Sequence, residues 1–119
     1  MRKQLVRSIC LGGLAATGLL LWQQQPASAA EKVVNILNKG GFKFDPADVA
    51  INAGDTIKWV PASGSHELEG TPPGNGFPHV PEFAKPANPT KIFNTPGAFP
   101  YHCTIHPSMK GKITVKAAK

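Results

Sequence analysis

Between Val33 and Val115 no apolar segment of this chain runs far before glycine, proline, asparagine or aspartate stops it. Val33-Val34-Asn35-Ile36-Leu37 is β-rich and ends at Asn38-Lys39-Gly40-Gly41. Phe42-Lys43-Phe44 alternates and meets Asp45-Pro46-Ala47-Asp48, and Val49-Ala50-Ile51 runs into Asn52-Ala53-Gly54-Asp55. Thr56-Ile57-Lys58-Trp59-Val60 places Ile57 and Trp59 on one face and Thr56 and Lys58 on the other. A strand that is apolar on one side and wet on the other suits an antiparallel sheet packed on a second sheet. Lys91-Ile92-Phe93, Phe99 to Cys103 and Gly111 to Val115 continue the series. About seven to eight short strands, with no helical periodicity of useful length, predict an all-β sandwich.

One stretch breaks the rhythm. Pro61 to Pro89 holds seven prolines in 29 residues, which excludes a helix interior or a central strand. It reads as a long loop with a turn of helix at Pro81-Glu82-Phe83-Ala84, held to the body by Phe77, Val80 and Phe83.

The first 30 residues belong to a different class. Arg2, Lys3 and Arg7 precede a mostly apolar run of 14 residues, Ile9 to Trp22, and Ala27-Ser28-Ala29-Ala30 follows. Basic flank, short apolar region and small residues read as a secretory signal peptide over 1–30, cut after Ala29 or Ala30. The run is shorter than the ~20 residues of a membrane-spanning helix, so no stable membrane insertion is expected after cleavage. Residues 31–119 then form a single domain with Cys103 as its one cysteine, because Cys10 leaves with the signal. The charge falls from +6 to +3 once three of the 13 basic residues are gone. That balance is too mild, and the lysines too scattered, for a nucleic-acid partner. An exported domain this small has no disulfide to staple it, and a bound metal would do so.

The chemistry gathers near the end of the chain, in Tyr101-His102-Cys103-Thr104-Ile105-His106-Pro107-Ser108-Met109. Cys103, His106 and Met109 offer thiolate, imidazole and thioether at three-residue intervals, a set whose softness suits copper. A copper site of this kind needs a second histidine. His79 lies among loop prolines, and His102 neighbours Cys103 on a strand and so points to the opposite face. His66, delivered shortly after the Thr56–Val60 strand, is the best candidate. Taken singly, a cysteine is usually a small buried hydrophobe and a methionine is usually core filler. Three candidate ligands in one turn, with a fourth upstream, weigh against those readings together. Zinc also accepts histidine and cysteine, but Met109 favours copper.

These residues resemble the cupredoxins. The resemblance rests on Phe44-Asp45-Pro46, Gly54 to Val60, His66, and Thr95-Pro96-Gly97 through Tyr101 to Gly111. The Cys103–His106–Met109 spacing is similar to that of amicyanin. Plastocyanin and pseudoazurin are similar overall but place more residues between histidine and methionine. Two departures stand out, Glu67-Leu68 in place of the usual Asn-Val and the proline-rich stretch.

The resemblance implies a Greek-key β-sandwich binding one type 1 copper ion through His66, Cys103, His106 and Met109. It also implies a soluble, monomeric blue copper protein that carries single electrons between a protein donor and acceptor by Cu(I)/Cu(II) cycling. Export would take it to the periplasm, or to a thylakoid lumen. The ring edge of His106 is expected at the surface, within an apolar docking patch of Phe99, Pro100, Ile105 and Pro107. No enzymatic activity is expected, since four protein ligands leave no open position for substrate. His102 matches the residue that binds a second, catalytic copper in copper nitrite reductases, but this chain lacks their second domain. A copper-binding or copper-delivery protein is the alternative, and it would favour a more exposed, easily exchanging site.

Overall fold

The computed structural model describes residues 29–118. Apart from Ala29 and Ala30, the expected signal segment and Cys10 lie outside the described residues. Nine strands follow one another without an intervening helix among them. They are β1 (Glu31–Asn38), β2 (Phe42–Asp45), β3 (Asp48–Asn52), β4 (Asp55–Pro61), β5 (Ser65–Gly70), β6 (Val80–Ala84), β7 (Thr90–Phe93), β8 (Gly97–Cys103) and β9 (Lys110–Lys116). One sheet has the order β2-β1-β4-β7 and the other β3-β9-β8-β5-β6. The chain crosses between sheets after β2, β3, β4, β6 and β7, the crossed connectivity of a Greek-key sandwich.

Alternation decides which residues meet between the sheets. Along β4 every second residue is buried (Asp55, Ile57, Trp59 and Pro61), and β8 buries Phe99, Tyr101 and Cys103 in the same way. Trp59 and Tyr101 face each other from opposite sheets, and the Trp59 indole Nε1–H donates to the Tyr101 hydroxyl at 3.1 Å. The Tyr101 ring is stacked on Phe77 at a centroid distance of 4.7 Å and an interplanar angle of 6°. Burial pushes the Tyr101 hydroxyl well above its ordinary pKa, only partly offset by the Trp59 hydrogen bond.

Neither sheet is purely antiparallel, contrary to the expectation from alternation. β1 runs parallel to β4, and β3 parallel to β9. Alternation reports which face is buried and is blind to direction, which the crossovers set.

The stretch 61–89 also differs from expectation. It contains two strands, β5 and β6, and the expected turn of helix at Pro81–Ala84 is part of β6. β6 is the edge of its sheet and pairs with β5 alone. Its register passes from His66↔Phe83 to Leu68↔Val80, so Pro81 and Glu82 stand together opposite Glu67 as a bulge. A proline on an edge strand, inside a bulge, removes no needed ladder hydrogen bond. Between the two strands, Asn75 ties the chain to the body. Its Nδ2 donates to the carbonyls of Thr71 and Pro100 at 3.2 and 2.9 Å, and its Oδ1 accepts from Phe77 N–H at 2.9 Å. Phe77, Val80 and Phe83 are buried, as their apolar character predicts.

Candidate metal centre

The site forms where β5 and β8 pair. Register Leu68↔Cys103 puts the inward-facing His66, two residues from Leu68 on the same face, beside the end of β8. The chain then turns sharply through 104–109 before β9. Met109 N–H donates to the His106 carbonyl at 2.8 Å, and Cys103 N–H donates to the Met109 carbonyl at 3.1 Å. Those bonds fold His106 back over Cys103 and bury Met109.

The donor atoms of His66, Cys103 and His106 all lie within 4.8 Å of one another. Cys103 Sγ is 3.8 Å from His66 Nδ1 and 3.7 Å from His106 Nδ1. His66 and Cys103 are fully buried, while His106 is half-buried.

The backbone selects the tautomer of His66. Its Nε2 lies 2.8 Å from the Ser63 carbonyl, which can only accept, so Nε2 carries the proton and Nδ1 presents a lone pair toward Cys103. Burial lowers the pKa of His66, the Ser63 bond opposes that shift, and nearby His106 adds to it. The net shift favours the neutral ring, the form that ligates metal. Gly64 turns the chain at φ +79°, and a Cβ there would sit 2.7 Å from the Phe42 ring and 3.4 Å from His66 Nε2. Glycine thus meets both the left-handed backbone and the close approach.

Phe42 is a site residue that sequence reasoning missed. Its ring is edge-on to His66 at 4.9 Å and tilted against His106 at 4.4 Å. Its alternation with Phe44 showed only that both face inward. That Phe42 lies at the histidine end of the sandwich depends on strand order. Glu67 was noted only as a departure, and it links the two segments that carry the candidate ligands. Thr104 Oγ1 donates to Glu67 Oε1 at 2.7 Å, and Thr104 N–H to the Glu67 carbonyl at 2.8 Å. The Thr104 hydroxyl, then His79, hold the Glu67 carboxyl below its ordinary pKa.

The two remaining histidines stand apart from the cluster. His79 Nε2 is 2.8 Å from Glu67 Oε2 on the surface. His102 is on the outer face of β8, opposite in sense to Cys103 as expected, with Nδ1 2.6 Å from Thr71 Oγ1. The expected apolar patch needs one correction. Phe99 is buried between the sheets against Phe93, because its place on β8 has the same inward sense as Tyr101 and Cys103. Pro100 is half-buried on the outer face of β8, Ile105, 43% exposed, and Pro107 are exposed on either side of His106 in the chain, and the Phe42 ring lies against His106.

Comparison with known proteins agrees with this geometry. The family model of the copper-binding proteins of the plastocyanin/azurin family matches residues 31–116. Amicyanin-alpha of Methylorubrum extorquens is 30% identical over 112 residues, covering 87% of this chain and 85% of that protein. Plastocyanin of Prochlorothrix hollandica is 30% identical over 109 residues, covering 83% of each. Among solved structures, pseudoazurin from Methylobacterium extorquens AM1 superposes with a TM-score of 0.61 at 28% identity, over 72% of this chain and 75% of that one. An amicyanin variant in its reduced state gives 0.60 at 28%, over 71% and 80%.

Proposed function

This chain belongs to the plastocyanin/azurin family of copper-binding proteins, and on that premise we propose that His66, Cys103, His106 and Met109 hold its copper ion. The protein is an electron carrier and not an enzyme, passing single electrons between protein partners. The observation that carries the ligand assignment is the convergence of one thiol and two imidazole nitrogens within 4.8 Å, two of the three residues being fully buried. Two histidines and a cysteine, with a methionine sulfur as the weak fourth donor, are a donor set for type 1 copper.

Copper, when bound, supplies the Cu(I)/Cu(II) couple. The protein's part is to keep the donors nearly still. His66 and Cys103 stand on neighbouring hydrogen-bonded strands, and the backbone bonds among Cys103, His106 and Met109 close the loop between them. A cage that barely moves lowers the reorganisation cost of each transfer. The Ser63 carbonyl holds the His66 ring in its ligating tautomer. Half-buried His106, rimmed by Phe42, Ile105 and Pro107, is the route to a partner. Redox encounters are small and weak, so a patch of that size suffices. The N-terminal signal segment directs export to a periplasm or thylakoid lumen, where the remaining domain works as a soluble monomer. No helix among the described residues is long and apolar enough to cross a membrane.

The test is an optical spectrum of the protein without its signal segment, loaded with one equivalent of Cu(II), before and after ascorbate. An intense thiolate-to-copper band that bleaches and returns on reoxidation is expected. Cys103→Ser abolishes it, and His79→Gln leaves it. A colourless Cu(II) complex would refute the assignment.

A further inference from the structure

The buried acid Asp55 plays no part in the metal centre, yet its partners are specific. It opens β4 on the inward face and is 6% exposed. Its Oδ2 accepts the Asn52 N–H at 2.9 Å, closing the β3–β4 turn, and its Oδ1 accepts the N–H of Ala30 at 2.9 Å. The Ala30 carbonyl in turn accepts the Thr56 N–H at 2.9 Å. Ala30 is thus held from both sides just ahead of β1.

The sequence permits cleavage at two adjacent bonds, since Ala27 and Ala29 or Ser28 and Ala30 supply small residues at the required positions. The fold does not treat them alike. A chain beginning at Glu31 would leave one Asp55 oxygen and the Thr56 N–H without their partners, which is costly for a buried carboxylate. A chain beginning at Ala30 keeps both bonds and replaces an amide N–H by an ammonium. We infer that the processing site is the Ala29–Ala30 bond, and that the new α-ammonium of Ala30 forms an ion pair with Asp55 in the mature protein. The inference rests on the export reading above.

In the hydrolysis, water's hydroxyl adds to the Ala29 carbonyl carbon and its proton goes to the Ala30 nitrogen as the C–N bond breaks. The acid so formed passes its proton to the amine, leaving a carboxylate on the released signal and an ammonium on the domain. Processing therefore delivers a positive charge to the one carboxylate that β4 buries. A charged donor makes that hydrogen bond roughly twice as strong as the neutral one it replaces. The pair closes the end of β1 remote from the metal centre, because Glu31 pairs with Thr56 at that end while Asn38 pairs with Phe42 at the other.

The full precursor, expressed in a bacterium and recovered from its periplasm, is to be examined by intact mass and N-terminal sequencing. Ala30 is the expected first residue. A start at Glu31 would overturn the inference while leaving export standing, and an uncut precursor would overturn both. Chains 30–119 and 31–119 are then compared by urea unfolding without metal, each with Asp55 and with Asp55→Asn. Loss of Ala30 should lower the folded-to-unfolded ratio about tenfold or more with Asp55 in place, and clearly less with asparagine. Equal effects in the two backgrounds would refute the ion pair.

Discussion

Replacing Tyr101 by phenylalanine tests whether the hydrogen bond between the sheets stabilises the fold beyond simple packing. Trp59 and Tyr101 are 0% and 1% exposed, and the 3.1 Å bond joins them in the middle of the core. Tyr101→Phe keeps the ring, its stack on Phe77 at 4.7 Å and its contact with Phe44 at 4.7 Å. What disappears is the acceptor, leaving the Trp59 N–H dry and unpaired. Stranding a buried donor costs about 1–3 kcal/mol. For a domain of this size that is a fall in melting temperature of roughly 5–20 °C. The assay is urea and thermal unfolding of the metal-free protein, since bound copper adds stability by mass action and would blur the difference. The copper-loaded variant should keep its blue band, because the Cys103 N–H still donates to the Met109 carbonyl. A change in stability below ~0.5 kcal/mol would refute the argument, since it would mean that the indole N–H finds water or another acceptor at no cost.

Two further outcomes follow from local geometry. A Cβ at Gly111 would lie 2.8 Å from Tyr101 Cε1 and Cζ, so Gly111→Ala should destabilise by about 1–3 kcal/mol. Its effect should be non-additive with that of Tyr101→Phe in a double-mutant cycle, and simple additivity would place the strain elsewhere. The lowered pKa of buried His66 means that the unfolded chain takes up a proton near the ordinary value of 6.5, while the fold takes it up only at lower pH. Stability of the metal-free protein from this group is therefore fully present above 6.5 and is lost as pH falls below it. The slope should flatten in His66→Gln, and an unchanged slope would assign the acid sensitivity to other groups.

Local patterning in the chain was enough to read the fold class and the spacing of the proposed ligands. Period-two alternation in β4 and β8 reports burial directly, and Cys103, His106 and Met109 lie within one short loop, where sequence distance stands in for spatial distance. His66 could be singled out as the candidate second histidine because a strand carries it and because neighbouring His102 must face away from Cys103. Features that depend on pairing partners emerge only once the strands are packed. Pro81, which the prolines around it placed in a loop with a turn of helix, lies in β6, an edge strand with a bulge. Phe42 comes to lie against His66 and His106 only through the place of β2 in its sheet, and the parallel pairs β1–β4 and β3–β9 follow from crossovers that no local pattern encodes. The choice of Nδ1 on His66 comes from the carbonyl of Ser63, a group every residue carries, so only its position gives it meaning. Ala30 and Asp55 are 25 residues apart, and side-chain chemistry gives no sign of their contact, because one partner is a backbone nitrogen.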